Sequence, residues 1–264
     1  MKTARKSLYV SVLCNCVFVV MANAQITIEN FEYGSNADLL SAWTPQSATL
    51  TLSSYVSPKS TGTKSMRVDR YFPATTWETE TLTGPTRATP LVIATTQYVS
   101  LRIAGDPQFT NASWQRFYLY TFDGSGNFGR WGAAFPTTTN WQVFNFLASD
   151  VEKPSESPAL PDFSNIVQFK FYLCGQGDPA SVAYSATIYL DDLRILPAPV
   201  LTVVQKGISL QLLMRDLMPG TSYTLQQTTN FTHPVKYTFQ ANSTSQTFPI
   251  PPGQKGFYQL YYAP

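Results

Sequence analysis

Short runs of alternating apolar and polar residues follow one another along the chain, with turn-forming residues between them. Before residue 197 these runs are SATLTLSSYV, KSMRVDRYF, QYVSLRIAG, QRFYLYTF, WQVFNFLA, IVQFKFYLCG and ATIYLDDLRIL. Each is rich in Val, Ile, Tyr, Phe and Thr and is bounded by Gly, Pro, Asn, Asp or Ser, a pattern typical of β-strands joined by turns. One segment, NADLLSAW, suits a single helical turn. The pattern therefore predicts an all-β sandwich or barrel.

A proline-rich stretch, Pro197-Ala198-Pro199, marks the predicted boundary between two domains. Beyond it, further strands are predicted from PVLTVVQKGISLQLL, TSYTLQQTT, VKYTFQA, SQTFPI and GFYQLYYA. We expect a larger β-domain over residues 25–197 and a smaller, fibronectin-like β-sandwich over residues 198–264. The smaller domain is near the size at which a core becomes marginal, so we expect it to pack against its neighbour.

The first 24 residues carry the pattern of a secretory signal peptide. Lys2, Arg5 and Lys6 precede an apolar run over residues 8–21, and Ala22-Asn23-Ala24 is a small-x-small cleavage site. The apolar run is shorter than the roughly 20 residues that a membrane span needs. We therefore expect a protein exported to the periplasm, the cell surface or the medium, without a transmembrane segment.

The composition of the chain after cleavage limits which disulfides it can form and which partners it can bind. Cleavage would leave one cysteine, Cys174, and hence no internal disulfide. It would also leave 15 basic side chains, 18 minus three, against 16 acidic ones. Such a balance argues against nucleic acid as a partner, because its binding rests on many Lys and Arg contacts to phosphate.

Four patterns fit together in the larger domain. In chain order they are ITIENFEYGSNADLLSAW, then SPKSTGTKSMRVDRYF, then TTNWQVFNFLASD with FSNIVQFKFYL, and finally TIYLDDLRI. Over residues 26–197 this ordered set resembles the jelly-roll carbohydrate-binding modules of the galactose-binding-like fold. The resemblance implies two antiparallel sheets and often a structural calcium ion. It does not establish sugar binding, because one fold hosts many functions.

The resemblance also bears on the adjacent carboxylates of Asp191 and Asp192. In such modules, acids from the first and last strands hold Ca²⁺, which prefers hard oxygen ligands. Matching the motifs implies that Glu32 of FEYG and Asp191 of LDDL are the side-chain ligands, helped by carbonyls of residues 60–63. The alternatives are that the two aspartates end a strand in solvent, or that they are catalytic. The shorter DGSGN lacks the closing glutamate of a calcium loop, so we expect a glycine turn there.

Strand alternation predicts a binding face. Aromatic rings stack on the apolar faces of sugars while Arg, Lys and amide groups bind the hydroxyls. If the strands adjoin, the outward positions make a groove floor of Tyr98, Arg102, Arg116, Tyr118, Tyr120, Lys170 and Tyr172. We expect Trp131 at the groove rim, and the resemblance to carbohydrate-binding modules implies that Trp43 and Trp141 lie in the core. The cations would favour an acidic glycan; alternatively these residues only decorate an exposed sheet.

A catalytic site has little support in the sequence. Glu78 and Glu80 face the same side of a predicted strand, as a glycosidase pair could, but a solvated strand face is the commoner explanation. The only histidine, His233, falls in the smaller domain, and Cys174 has no histidine near it in sequence. A lyase that uses tyrosine and arginine remains an alternative.

The smaller domain has a resemblance of its own. YTLQQTTNFTHPVKYT followed by GQKGFYQLYY resembles the small β-domain that ends many exported multidomain proteins of Verrucomicrobia-type bacteria. Such a domain implies a spacer. Together these features predict a secreted, monomeric, non-catalytic glycan-binding protein with structural calcium. The alternatives are a structural or adhesive envelope protein and a jelly-roll polysaccharide lyase or hydrolase.

Overall fold

The computed structural model describes most of the chain after the predicted signal peptide. The described residues are 25–58, 60, 62–72, 78–105, 112–134, 139–177, 184–206, 209–217, 221–228, 235–250 and 257–262. Residues 1–24 and His233 lie outside them. Within the described ranges, no helix is long and apolar enough to span a membrane.

The described residues before position 197 form eleven strands and one α-helix. They are β1 (Ile26–Glu29), α1 (Asn36–Ala42), β2 (Thr44–Pro45), β3 (Thr49–Ser53), β4 (Ser65–Phe72), β5 (Glu78–Thr83), β6 (Tyr98–Gly105), β7 (Ala112–Asp123), β8 (Phe128–Ala134), β9 (Gln142–Leu147), β10 (Ile166–Gly177) and β11 (Tyr184–Leu196). A 3₁₀ turn, Ala148–Asp150, follows β9. The all-β class and the single helical turn are confirmed.

These strands form two antiparallel sheets. The first sheet has the order β3-β4-β11-β6-β9, with β1 also pairing β11, and the second has the order β2-β5-β10-β7-β8. Alternate residues of each sheet are fully buried in one shared core, for example Ile188 of the first sheet and Phe171 of the second. The strand period of two therefore fixes an inner and an outer face for each sheet.

Trp43 fills the core at the end of α1. Its ring stacks on Phe171 at a centroid distance of 5.1 Å and meets Phe31 at 5.7 Å. The backbone of Gly84 lies so close that a methyl group there would come within 2.8 Å of the indole. The expected core position of Trp43 is confirmed.

Six further strands form two three-stranded sheets around a second hydrophobic cluster. They are β12 (Val200–Lys206), β13 (Ser209–Arg215), β14 (Ser222–Thr228), β15 (Val235–Gln240), β16 (Ser245–Ile250) and β17 (Phe257–Tyr262), in the orders β12-β13-β16 and β15-β14-β17. Tyr262 of this cluster packs against Tyr98 at 4.7 Å between ring centroids. Its hydroxyl donates to the Pro197 carbonyl at 3.1 Å. The second hydrophobic cluster thus packs against residues that precede the Pro197 boundary.

An ion-pair cluster crosses between the two sheets. Glu80 is completely buried and accepts hydrogen bonds from the backbone N–H groups of Gln46 and Ser47 at 2.8 and 3.0 Å. Arg70 of β4 reaches Glu80 with Nε at 3.0 Å and Glu78 with Nη2 at 2.6 Å. The two acids share a face as predicted, but the idea of a solvated strand face is wrong for Glu80. The guanidinium and two N–H donors offset the cost of burying its charge.

We expect Glu80→Ala to lower the free energy of unfolding by about 3 kcal/mol or more, because it leaves Arg70 with a buried, partly unpaired charge. Urea unfolding measured by circular dichroism checks this. Glu152→Ala is the matched control, since Glu152 is 67% exposed and its pair with Arg130 should be worth less than about 1 kcal/mol. Equal losses in the two variants would contradict the structural role of Glu80.

Candidate functional site

A groove of about 780 Å³ lies on the outer face of the second sheet. It crosses four neighbouring strands, β5, β10, β7 and β8, because the outward residues of each contribute to its floor. Its described lining residues are Gln46, Glu78, Thr79, Thr81, Tyr118, Tyr120, Phe128, Arg130, Glu156, Tyr172 and Cys174. The volume falls within the range of small-molecule and oligomer sites.

Aromatic rings make up the centre of the floor. Tyr120 and Tyr172, on the adjacent strands β7 and β10, lie 4.2 Å apart between ring centroids. Phe128 lies 6.1 Å from Tyr120. Tyr120 is only 8% exposed, so it supports the floor, whereas Tyr118 and Tyr172 are more exposed and present their rings to the groove. Burial raises the pKa of Tyr172, which keeps its phenol neutral and able to donate.

Arg130 holds the tyrosines in place. Its guanidinium carbon lies 4.7 Å from the centre of the Tyr118 ring, and Nη1 donates to the Tyr120 hydroxyl at 3.2 Å. That hydrogen bond raises the pKa of Arg130. The Tyr118 ring lies across Gly132, where a methyl group would come within 2.7 Å of it. These contacts pre-orient the Tyr118 ring before any ligand arrives.

The charges around the groove are few and mixed. Its described lining holds two carboxylates, Glu78 and Glu156, and one cation, Arg130. Lys170 lies on the same face, but its ammonium is placed 4.6 Å from the centre of the Phe122 ring. Arg116 is exposed on this face. This distribution does not favour the acidic glycan that the sequence suggested.

Cys174 forms part of the floor without a reactive environment. Its side chain is 5% exposed, and Thr79 Oγ1 donates to Sγ at 3.7 Å. Burial raises the pKa of the thiol. Because the thiolate is the nucleophilic form, the site disfavours covalent chemistry at Cys174.

Three residues expected at the groove lie elsewhere. Tyr98 and Arg102 are on β6, which belongs to the first sheet; Tyr98 packs on Tyr262, and Arg102 faces Asp192. Trp131 is 3% exposed in the core, where its indole N–H donates to the Leu147 carbonyl at 3.0 Å. Alternation gave the outward side of β6 correctly, but it does not say which sheet a strand joins.

Tyr118, Tyr120 and Tyr172 do line the groove, with Arg116 and Lys170 on the same face. Sequence reasoning missed Arg130, Phe128, Glu156 and the threonines of β5. The sequence FGRWGAA did hold a sign of Arg130, because neighbouring residues of a strand point to opposite faces. With Trp131 directed into the core, Arg130 must point outward. Trp141 was expected in the core and is instead half-buried on the outer face of the first sheet.

The adjacent carboxylates of Asp191 and Asp192 sit in a β-bulge. Pairing between β11 and β6 shifts between Asp191 and Arg194, and Asp192 takes a φ of +53°. Its carboxylate contacts Arg102 Nε at 3.1 Å and Arg194 Nη2. Both aspartates are buried, so the alternative that they end a strand in solvent is wrong. The bulge turns a charged cluster onto the outer side of the sheet, beneath the segment that follows β3.

Asp191 and Glu32 both bind the turn between β3 and β4, here called the 57–64 turn. Asp191 Oδ2 accepts from the Ser57 N–H at 3.3 Å, while Glu32 accepts from the Thr63 and Lys64 N–H groups, both at 2.6 Å. Asp191 Oδ1 is buried and has no hydrogen-bond partner among the described residues, which leave out residues 59 and 61 of this turn. That oxygen fits a cation, whereas the Glu32 oxygens are taken up by donors.

Within the described residues, no three His, Cys, Asp or Glu side chains cluster as metal ligands. Calcium stays a prediction, with Asp191 the better-fitting ligand. The DGSGN segment is a glycine turn, as expected, because the Asp123 carboxylate accepts from the N–H groups of Ser125, Asn127 and Asp162, each at 2.9 Å.

Comparison with known proteins finds no matching family model and no matching curated protein. Among solved structures, an exo-β-agarase aligns with TM-score 0.45 and 15% identity over 66% of this chain and 25% of its own. The family 11 carbohydrate-binding module of Clostridium thermocellum, in complex with a β-1,3-1,4-mixed-linked tetrasaccharide, aligns with a TM-score of 0.40 and 12% identity. The alignment covers 66% of this chain and 96% of the module. A xylan-binding domain of family 22 aligns with a TM-score of 0.33 and 16% identity, over 67% of this chain and 97% of that domain.

The chain thus spans about a quarter of the agarase. All three TM-scores are below 0.5, and the likenesses assign neither a family nor a ligand.

The pH dependence of stability should report on Asp191. Burial and the neighbouring Asp192 raise its pKa from 3.8 to about 6. The folded protein then binds the Asp191 proton more tightly than the unfolded chain does. Protonation of Asp191 therefore contributes its full stabilisation of the folded state below pH 3.8, and this contribution is lost as pH rises through about 6. We therefore expect Asp191→Asn, in EDTA, to gain stability over the unsubstituted protein as pH rises through this window.

Thermal melts at a series of pH values check this expectation. Asp123→Asn is the matched control with the opposite sign, because hydrogen-bond donors lower the Asp123 pKa and its contribution is lost as pH falls. Parallel pH profiles for Asp191→Asn and the unsubstituted protein would contradict the expectation.

Proposed function

We propose that this protein is a non-catalytic glycan-binding protein and that the groove on the second sheet is its binding site. The observation that carries the proposal is the combination of half-buried tyrosine rings with fixed hydrogen-bonding groups across one sheet face. Sugar rings present apolar C–H faces that stack on aromatic rings, and hydroxyls that bind polar side chains. Tyr118 and Tyr172 supply the rings, and Arg130, Thr79 and Thr81 supply polar groups.

The shape of the groove favours a glycan chain over a single sugar. Its floor runs across four strands, whose spacing makes it about 14 Å wide from β5 to β8. A groove of this kind takes a stretch of polymer lying across the strands. Because the rings are pre-oriented by Arg130 and Gly132, little conformational entropy is lost on binding.

A neutral polymer suits the groove better than an acidic one. Two carboxylates and one guanidinium line it, and the guanidinium is already engaged by Tyr118 and Tyr120. In the described lining Glu78 is paired with Arg70 and Arg130 is engaged by the tyrosines, so a uronate chain would meet the exposed carboxylate of Glu156 and no unengaged cation among these lining residues. Like charges brought together on binding cost affinity and select against the wrong partner.

A catalytic function has less support. Glycoside hydrolysis needs two carboxyl groups on either side of the scissile bond. Glu80 is buried under the sheet, and the Glu78 carboxylate is engaged by Arg70. The Cys174 thiol is buried, and burial raises its pKa, which disfavours the thiolate. The groove therefore offers binding groups rather than an acid and a nucleophile.

The proposal includes export, on the pattern of residues 1–24, and a calcium ion held by Asp191. The buried Oδ1 of Asp191 supports the ion, because it has no hydrogen-bond partner within the described part of the chain. A bound calcium ion would neutralise the Asp191 carboxylate. Asp191 and Glu32 would then hold the turn against the first sheet.

Glycan binding is tested by affinity electrophoresis in gels that contain neutral β-glucans, xylan, agarose or uronate polymers. We expect retardation by a neutral polymer, and a loss of affinity of about tenfold or more in Tyr172→Ala, because the stacking surface is removed. Tyr237→Ala is the control, since Tyr237 is a 41% exposed tyrosine on β15, away from the groove. Retardation by none of the polymers would refute the proposal and would favour an envelope spacer.

Calcium is tested by thermal melting in calcium, in magnesium and in EDTA. A ligand that binds only the folded protein must raise the melting temperature by mass action. We expect calcium to raise it, magnesium to raise it less because Mg²⁺ dehydrates reluctantly, and Asp191→Asn to remove the difference. Identical melting temperatures in calcium and EDTA would refute calcium binding at Asp191.

A further inference from the structure

Three aromatic rings from distant segments meet on the outer face of the first sheet. Tyr189 points outward from β11, between the buried Ile188 and Leu190. Tyr55, from the segment after β3, lies 4.9 Å from Tyr189 between ring centroids, and Trp141, before β9, lies 5.5 Å from Tyr55. None of the three belongs to the buried core clusters. We call these three rings the aromatic platform.

The platform is held in position from two sides. The Tyr55 hydroxyl donates to the carbonyl of Thr139, which joins the segments that carry Tyr55 and Trp141. Two residues beyond Tyr55, Ser57 donates its N–H to Asp191 and its hydroxyl accepts from Arg102 Nη1 at 2.8 Å. A ligand would therefore meet rings whose positions are already fixed, which lowers the entropic cost of binding.

An exposed ion pair lies beside the platform. Arg67 of β4 is the strand partner of Tyr189, and its Nε and Nη2 donate to Asp69 at 3.1 and 3.0 Å. Thr187 Oγ1 donates to the same carboxylate at 2.6 Å. Arg67 and Asp69 keep 44% and 35% of their side-chain surface exposed, so donors and acceptors both face solvent. Tyr71, 55% exposed, continues the row along β4.

This chemistry matches an uncharged, hydroxylated ligand with apolar faces. The rings offer stacking surfaces, and the ion pair offers hydrogen-bond donors and acceptors with no net charge. A phosphate or sulfate group would need an unpaired cation, but Arg67 is already matched by Asp69. A sugar residue of a neutral glycan meets each requirement.

We propose that the aromatic platform, with Arg67, Asp69 and Tyr71, is a second carbohydrate-binding surface. It lies on the opposite side of the sandwich from the groove, because the two surfaces occupy the outer faces of the two packed sheets. One molecule would then bridge two glycan chains. The inference rests on the proposed function in one respect: the neutral polymer that the groove binds is also the ligand of the platform.

Two double variants separate the surfaces. The platform variant is Tyr55→Ala with Tyr71→Ala, both at residues at least 40% exposed, so folding should be preserved. The groove variant is Tyr118→Ala with Tyr172→Ala. Tyr237→Ala is the control, and thermal melts establish that each variant is folded. Binding of a short oligosaccharide of the retarding polymer is measured by calorimetry, and bridging by turbidity with the polymer itself.

We expect two sites per molecule in the unsubstituted protein and turbidity with the polymer. Each double variant should keep one site and lose the turbidity. Combining the platform and groove substitutions should lower the remaining affinity by about tenfold or more. Tyr237→Ala should behave as the unsubstituted protein does.

Other outcomes overturn one proposal or both. One site per molecule, lost in the groove variant and unchanged in the platform variant, overturns the platform and leaves the groove. The reverse pattern overturns the groove. Binding of no glycan overturns both. A dimer in sedimentation that the platform variant converts to monomer overturns the platform as a sugar site, because a second copy of the chain then covers that face.

Discussion

Burial of one face of each sheet against the other is the constraint on which the rest of the structure depends. Once Ile188 of the first sheet and Phe171 of the second share a core, every second residue of each strand must face outward. The groove and the platform both consist of such outward residues. Their tyrosines are thus positioned by strands whose inner faces are fixed by hydrophobic packing, which gives rings on rigid supports.

Two buried charge clusters complete this frame. Arg70 and Glu80 link the sheets through the core, whereas Asp191, Asp192, Arg102 and Arg194 lie under the segment that follows β3. Each cluster brings a loop into place: Glu80 binds the backbone at Gln46, a groove residue, and Asp191 binds the backbone at Ser57, close to Tyr55. The carboxylates of Glu80 and Asp191, which a reader of the sequence could take for catalytic groups, therefore position the segments that border the two outer faces.

The two faces differ in their balance of aromatic and charged groups. The groove combines tyrosines with a guanidinium that is already engaged, and carboxylates stand at its side. The platform has a self-contained ion pair beside its rings. Both arrangements suit uncharged ligands, because the guanidinium in each is already engaged by neighbouring side chains. With both proposed surfaces occupied, the sandwich would hold polymer chains together.

The sequence by itself determined the all-β class, most of the strands although not β1, β2 or β8, and the side toward which most residues of the predicted strands point. Alternation was sufficient because each strand needs one apolar face, and this requirement is local. It correctly placed Tyr118, Tyr120 and Tyr172 outward. Only the tertiary structure decided which strands adjoin, because pairing depends on contacts far apart in sequence. For that reason Tyr98 and Arg102 belong to the other sheet, Trp131 fills the core, and Arg130 enters the groove. The bulge at Asp191 likewise depends on β6 and on the 57–64 turn, so its buried charges could not be located from local pattern alone.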